Sequence, residues 1–273
     1  MITAAHSEPG SSVKPDEDWF GVANWDEPAP IVVLDGGTAR TETGCIHGVS
    51  WYSKHLGTEL LALLQTRPNE SLRSILARGI AAVAELHRDT CDLNHPGTPS
   101  AAVAIVRPAG QQLWEYAILG DVTVVLDTLD GLIATADNRI SESAKRERIE
   151  ADRWPIGSAE KESAMIAMKH VELAARNRDY WIAAADARAA DHALIGKATG
   201  VTRIAILTDG AARANSFGLM TWSEILETME RAGPTHVVEQ VRAAEDSDPT
   251  GQRWARNKKS DDATVVYLSQ IGG

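Results

Sequence analysis

Three short apolar runs in the chain border on acidic residues, which predicts carboxylates at the tips of buried strands. Valine and isoleucine dominate these runs, and such β-branched residues favour strands. Glycines next to the acids allow sharp turns. Carboxylates from distant segments could therefore meet at one sheet edge and bind a hard cation, which prefers oxygen ligands. The runs and their acids are Ile31–Leu34 with Asp35, Ile204–Leu207 with Asp209, and Ala263–Leu268 with Asp261 and Asp262.

The remaining hydrophobic pattern alternates between strand and helix periods. Helices are predicted at Ser50–Gln65, Ser71–Leu86, Ala159–Asp179, Trp222–Arg231 and His236–Ala244. Further strands are predicted at Met1–Ala5, Trp19–Trp25, Ala101–Arg107, Leu113–Leu119, Val122–Thr128, Leu132–Ala136 and Tyr180–Ala185. The strands between positions 101 and 136 follow one another closely, so we expect a β-meander in a partly antiparallel sheet. The segment Asp186–Gly200 is predicted to be irregular.

The order of these elements predicts an α+β layered sandwich in which helices cover the faces of sheets. The chain has 273 residues, which is enough to bury a sizeable core. No repeat, low-complexity tract or linker divides it, so a single domain over residues 1–273 is predicted.

Charge and cysteine usage narrow the possible partners and compartments. The formal net charge is −11, which argues against a nucleic-acid partner and against an anionic membrane surface. No apolar run is long enough to span a membrane, and the N-terminal residues lack the pattern of a signal peptide. Cys45 and Cys91 are not in a CxxC pair, so reduced thiols in a cytoplasmic protein are predicted.

Six segments, taken in order, resemble the motifs of the metal-dependent protein phosphatases, the protein phosphatase 2C or PPM-type family. Each motif alone is weak, but six in the family order and spacing make chance a poor explanation. The resemblance covers nearly the whole chain. Its segments are the acidic pair Glu17-Asp18, LDGGTA around Asp35, GTPSAAVAIV (Gly97–Val106), LGDVTVVL (Leu119–Leu126), ILTDGAAR (Ile206–Arg213) and SDDATVVYL (Ser260–Leu268).

The resemblance implies a four-layer α-β-β-α sandwich with two central antiparallel sheets. It also implies a phosphatase that hydrolyses phosphoserine and phosphothreonine in proteins. Two Mg²⁺ or Mn²⁺ ions would activate a bridging water. Asp35 is the implied bridging ligand and the carbonyl of Gly36 a further one, with Asp209 and Asp261 as terminal ligands. Glu17 or Asp18 would hold metal-bound water, and residues 141–179 would form the variable flap.

The chain departs from the family motifs around the substrate phosphate. Val13 stands where the family usually has a phosphate-binding arginine, and the neighbouring Lys14 is the candidate substitute, although lysine lacks the bidentate geometry of arginine. Arg213 replaces an acid that helps to bind a third metal in relatives, so a third ion at Asp121 is doubtful. Arg40 and Arg213 are additional candidates for contacts with the substrate phosphate.

The sequence allows three other interpretations of the function. A phosphatase-like binding or regulatory module would keep the metals but turn over weakly, which fits the missing arginine. An actin-like ATPase or sugar kinase could use LDGGT as a phosphate loop, but the closing SDDATVVYL strand does not fit that fold. A haloacid-dehalogenase reading fails because Gly37 stands where that family needs a second Asp.

Overall fold

The structure is a computed structural model, and it describes residues 2–110 and 112–269. These residues form ten strands and eight α-helices. The strands are β1 (Ile2–Glu8), β2 (Trp19–Val22), β3 (Ile31–Gly36), β4 (Ala101–Gly110), β5 (Leu113–Leu119), β6 (Thr123–Thr128), β7 (Gly131–Thr135), β8 (Leu194–Ala198), β9 (Val201–Leu207) and β10 (Ala263–Ser269). The helices are α1 (Val49–Thr66), α2 (Leu72–His87), α3 (Arg139–Ser143), α4 (Lys145–Ala151), α5 (Ala159–Ala175), α6 (Asp209–Ser216), α7 (Trp222–Ala232) and α8 (Pro234–Ser247). Met1, the first residue of one predicted strand, lies outside the described residues.

The strands form two five-stranded sheets in which every neighbouring pair is antiparallel. One sheet has the order β1-β10-β9-β6-β7, and the other has the order β2-β3-β4-β5-β8. The three acid-tipped strands are divided between them, because β3 lies in the second sheet while β9 and β10 are neighbours in the first. The predicted α+β sandwich with two central antiparallel sheets is confirmed.

Three apolar cores hold four layers together. Alternate residues of β3 point to opposite faces, as the strand period of two requires. Val32 and Leu34 pack against α1 and α2, whereas Ile31 and Val33 pack against the other sheet, where Ile206 and Val266 lie. The outer face of that other sheet packs against α6, α7 and α8. Each sheet is therefore buried on both faces, in the order helices, sheet, sheet, helices.

The predicted meander is wrong, because the chain changes sheet between β5 and β6. β4 and β5 pair in one sheet, and β6 and β7 pair in the other. The crossing occurs at Gly120, whose φ of +93° favours glycine and where a Cβ atom would lie 2.5 Å from the Cβ of Ala102. The strands between positions 101 and 136 are predicted correctly, but apolar periodicity does not reveal which sheet a strand joins.

Two local predictions after residue 175 are also wrong. Tyr180–Ala185 is not a strand; Tyr180 and Ala183 make only isolated bridges. Asp186–Gly200 is not irregular, because it contains a 3-10 helix (Ala187–His192) and the edge strand β8. β8 pairs with β5 through residues that are partly exposed, so it lacks the apolar signature of a buried strand. Helix α6, which begins at Asp209, was also missed.

The cysteine prediction is corrected as well. Cys45 and Cys91 were predicted as separate reduced thiols, but their sulfur atoms are paired as a disulfide 46 residues apart in sequence. The loop between β3 and α1 folds back onto the end of α2, which sequence spacing alone could not show. Among the described residues, no helix is long and apolar enough to cross a membrane.

Candidate metal centre

Five carboxylates from five separate segments line one small cavity at the edge of the sheets. The cavity has a volume of about 140 Å³. Its acidic lining residues are Asp35, Asp121, Asp209, Asp261 and Glu172. Asp35 ends β3, Asp209 begins α6 and Asp261 precedes β10, so the predicted convergence of distant strand tips occurs. Asp121 joins them because it follows the crossing at Gly120.

Asp35 and Gly36 stand at the centre of this arrangement. The main-chain N–H of Asp209 donates a hydrogen bond of 3.0 Å to Oδ2 of Asp35. Gly36 also lines the cavity, and a Cβ atom there would lie 2.5 Å from the carbonyl oxygen of Glu17 and from Val49 Cγ1. The glycine therefore permits the close approach of three segments, and it leaves its carbonyl group beside the carboxylates.

The electrostatics of the cavity favour a cation. Burial, and then the negative charges of Asp209, Asp18 and Asp121, raise the pKa of Asp35 well above its usual range. Desolvation in the crowded cavity, and then the charge of Asp261, raise the pKa of Asp209 to about 7, against the opposing charge of Arg213. Burial likewise raises the pKa of Asp121. Without a cation, these groups bind protons more tightly than free carboxylates do.

Asp261 differs from the other acids because two cations hold it. The ammonium group of Lys258 lies 2.5 Å from its Oδ1, and the guanidinium group of Arg213 donates to its Oδ2 at 3.1 Å. Arg213 is only 6 % exposed and also pairs with the fully buried Glu245. Arg213 lines neither this cavity nor the larger cleft beside it, which is described below. Its contacts give it a role in positioning Asp261, and its placement does not favour the predicted contact with the substrate phosphate.

Glu17 and Asp18 point in different directions. Glu17 Oε2 accepts a hydrogen bond of 2.6 Å from Thr38 Oγ1, beside the cavity. Asp18 Oδ2 accepts one of 2.8 Å from Thr208 Oγ1, between the tips of the two sheets. Burial raises the pKa of both carboxyl groups. Glu17 therefore lines the larger cleft, whereas Asp18 lines neither space and acts on Asp35 through its negative charge, which raises the pKa of Asp35.

A larger cleft of about 920 Å³ adjoins the small cavity. Thr38, Arg40 and Lys258 line both spaces and so mark their junction. Lys14 is exposed and lines only the larger cleft. Arg40 makes a 3.4 Å ion pair with Glu162 of α5, which is an exposed carboxylate. The cleft thus brings positive side chains to the entrance of an acidic cavity.

The segment predicted as a flap covers the cavity. Its lining residues between positions 141 and 179 are Arg148, Met165, Met168, Lys169 and Glu172. Arg148 donates to Glu172 at 2.9 Å, and burial lowers the pKa of Lys169. Arg148 and Lys169 therefore add two cationic side chains to the lining of the carboxylate cavity.

Sequence reasoning missed Lys258, the cation nearest to the carboxylates. Besides its ion pair with Asp261, its Nζ atom donates to Thr38 Oγ1 at 3.1 Å. Burial lowers the pKa of Lys258, but the charges of Asp261 and then Asp262 outweigh burial and raise it overall. The sequence offered one signal for Lys258, its place three residues before Asp261. That place lies in a polar stretch with the composition of a solvated loop, which hid the signal.

Solved structures of bacterial serine/threonine phosphatases superpose on the whole chain. The phosphatase Stp1 from Staphylococcus aureus matches with a TM-score of 0.61 and 12% identity, covering 100% of this chain and 96% of that one. The Mycobacterium tuberculosis phosphatase PstP/Ppp matches with a TM-score of 0.57 and 14% identity over 99% and 98%. The PstP catalytic domain in complex with two manganese ions matches with a TM-score of 0.56 and 15% identity, covering 98% of this chain and 96% of that one.

The chain has the fold of the PPM-type serine/threonine phosphatases. The resemblance predicted from the six motifs is thereby confirmed at the level of fold. No family model matches the chain, and no curated protein does. The donor set fits Mg²⁺ or Mn²⁺, because it combines several carboxylates with a carbonyl group, and the described lining residues include no cysteine or histidine.

Proposed function

We propose that this chain is a metal-dependent phosphatase that hydrolyses phosphoserine and phosphothreonine in proteins. The observation that carries the proposal is the convergence of Asp35, Asp121, Asp209 and Asp261 on one cavity. Burial, and then repulsion between neighbouring carboxylates, raise the pKa values of Asp35 and Asp209, and burial raises that of Asp121, so a bound cation would stabilise the charged forms of these three groups. The similarity to phosphatase structures over the whole chain supports the same reaction class.

The carboxylates would hold two Mg²⁺ or Mn²⁺ ions, with Asp35 shared between them. Asp209 and Asp261 would be terminal ligands, the carbonyl of Gly36 would complete the set, and Glu17 would hold water at the entrance. When bound, such a pair of ions supplies charge neutralisation and a water nucleophile at neutral pH. The protein itself fixes the ligands in place: the N–H of Asp209 orients Asp35, and Arg213 orients Asp261.

Positive side chains at the entrance would position the substrate phosphate. Lys14, Arg40 and Lys258 line the larger cleft, and the last two also reach the cavity. A phosphoserine or phosphothreonine side chain could enter from the cleft while its peptide lies along it. Arg40 must leave the exposed Glu162 to contact a phosphate, and such a surface ion pair contributes little stability.

The direct test is hydrolysis of p-nitrophenyl phosphate and a phosphothreonine peptide with Mn²⁺, with Mg²⁺ and with EDTA. We expect metal-dependent turnover of both substrates that Asp35→Asn abolishes. The matched control is Asp130→Asn, because Asp130 lies in the exposed turn between β6 and β7, away from the cavity. Full activity in EDTA, or in Asp35→Asn, would contradict the proposed mechanism.

A binding or regulatory module is the second candidate, and one observation favours it. Asp261 is already paired with Lys258 and Arg213, so a metal ion must compete with two cations for this ligand. Such a module would bind Mn²⁺ and phosphopeptide without turnover. Titration calorimetry that shows both ligands bound, together with no hydrolysis of any phosphoester, would select this function over catalysis.

A further inference from the structure

A cluster of two cysteines and two histidines lies outside the candidate metal centre. Cys45 and His47 belong to the loop between β3 and α1, His87 ends α2, and Cys91 follows it. One ligand atom from each residue can be chosen so that all four lie within 4.8 Å of one another. Two thiols and two imidazoles form a common donor set of structural zinc sites.

Three nitrogen–sulfur distances inside the cluster match the edges of a tetrahedral site. His87 Nδ1 lies 3.4 Å from Cys45 Sγ, and His47 Nδ1 lies 3.4 Å from Cys91 Sγ and 3.6 Å from Cys45 Sγ. With the usual zinc–sulfur and zinc–nitrogen bond lengths, the nitrogen–sulfur edge of a tetrahedron is about 3.6 Å. Both imidazoles therefore present the same ring atom to a common centre.

His87 has no other polar contact that explains its burial. The residue is 1 % exposed, and its Nε2 atom has no hydrogen-bond partner among the described residues. Its Nδ1 atom faces only the sulfur of Cys45, which is a weak hydrogen-bond partner. Burial, and then the charges of His47 and His55, lower the pKa of His87.

We propose that, in the reduced protein, Cys45, His47, His87 and Cys91 bind one zinc ion. The two thiols release their protons to solvent as two zinc–sulfur bonds form, and the two neutral imidazoles complete the tetrahedron. In a tetrahedral site the sulfur atoms lie about 3.8 Å apart. The disulfide present in the structure and the zinc complex therefore exclude each other, and only the reduced pair can bind the ion.

The position of this cluster gives the ion a structural role. The loop from Gly37 to Gly48 carries Thr38 and Arg40, which line the candidate metal centre and its cleft. A main-chain hydrogen bond of 2.8 Å from Asp92 to Gly44 already joins this loop to the segment after α2. Zinc would strengthen that junction and so fix one wall of the cleft, yet its binding does not depend on the proposed phosphatase activity.

Cobalt substitution tests the proposal, because Co²⁺ reports the type of ligand by its absorption. The full chain is reduced with a phosphine under anaerobic conditions, freed of metal, and titrated with Co²⁺. We expect a thiolate-to-cobalt charge-transfer band together with the intense visible bands of a tetrahedral Co²⁺ ion. Both sets of bands should reach full intensity at one equivalent of Co²⁺, and one equivalent of Zn²⁺ should abolish them. Absence of the thiolate band in the reduced wild-type chain overturns the proposal without any substitution.

Variants assign the signal to these residues. Cys45→Ser combined with Cys91→Ser should lose the charge-transfer band, and His47→Ala should lose the tetrahedral spectrum. His55→Ala is the matched control, because His55 stacks on Trp51 as His47 does but lies outside the cluster. Asp35→Asn should retain both bands, which separates this site from the carboxylate centre. An unchanged spectrum in His47→Ala, or loss of the thiolate band in Asp35→Asn, would contradict the assignment.

Discussion

The main-chain N–H of Asp209 donates a hydrogen bond of 3.0 Å to Oδ2 of Asp35, although the two residues are 174 positions apart. Asp35 ends a strand of one sheet, and Asp209 follows a strand of the other. This bond therefore ties the tips of the two sheets together. It also directs the N-terminus of α6 towards a half-buried carboxylate, where the partial positive charge of a helix end stabilises anions.

The shared position of Asp35 predicts that it dominates metal affinity. Asp35→Asn removes one negative charge while keeping the size of the side chain. Isothermal titration with Mn²⁺ should show affinity at least about tenfold weaker, which corresponds to about 1.4 kcal/mol. Asp130→Asn should bind as the parent does. Equal affinity in Asp35→Asn and the parent would mean that the bridging role is wrongly assigned.

Removal of metal should leave the fold intact. Three apolar cores hold the layers, and of their buried members only Ala102 lines the carboxylate cavity. Circular dichroism of the protein in excess EDTA should keep its native signal. Added Mn²⁺ should raise the melting temperature in a concentration-dependent manner, because an ion that binds only the native state stabilises it. An unfolded spectrum in EDTA would instead indicate that the ions create the fold.

Lys258 is predicted to matter more than Lys14 for phosphate binding. Both lie in the larger cleft, but only Lys258 also lines the carboxylate cavity. Lys258→Ala should lower kcat/KM on p-nitrophenyl phosphate by about tenfold or more, the usual cost of losing a charged hydrogen bond. Lys14→Ala should raise KM by a smaller factor and leave Mn²⁺ binding unchanged.

Val13 is 89 % exposed, so an arginine can replace it without a steric clash and can be tested for tighter substrate binding. Val13→Arg should lower KM for the same substrate, because arginine can contact phosphate in a bidentate manner. If Lys14→Ala changes nothing while Arg213→Ala abolishes activity and Mn²⁺ binding is retained, the phosphate contact comes from α6 instead.

A buried ion pair should stabilise the loop that carries Lys258. Arg256 donates to Asp248 Oδ2 at 2.9 Å, and both side chains are less than 9 % exposed. Asp248 also accepts main-chain hydrogen bonds from Gln252, Arg253 and Trp254. Asp248→Ala should lower the free energy of unfolding by about 3 kcal/mol, because it leaves the Arg256 charge buried without its partner. Asp246→Ala, at an exposed pair with Lys259, should leave the free energy of unfolding nearly unchanged.

The same pair gives the unfolding free energy a dependence on acid pH. Burial by itself raises the pKa of Asp248, but its hydrogen bonds to Trp254 and Arg256 outweigh burial and lower the pKa to about 2. The stabilisation is therefore complete above the unfolded-state pKa of about 4 and is lost as the pH falls towards 2. Urea titrations at pH values between about 4 and about 2 should show that the free energy of unfolding falls more steeply with decreasing pH in the parent than in Asp248→Ala. Equal pH dependence in the two proteins would contradict this origin.

The sequence by itself determined most elements and the identity of the acidic residues. Apolar runs beside Asp35, Asp209 and Asp261 identified the strand tips, because burial imposes a local pattern that a short window reveals. The order of six motifs then predicted the phosphatase-like fold, and the structural comparisons confirmed that fold.

Only the tertiary structure decided which residues meet. The ion pair of Arg213 with Asp261 and the pairing of Cys45 with Cys91 join segments that are remote in sequence, and the sheet change at Gly120 depends on which strands each sheet assembles. Lys258 looked like a solvated loop residue until the chain fold placed it beside the carboxylates. The physical reason is that side-chain periodicity records burial along one segment, whereas contacts between segments depend on the packing of the whole chain.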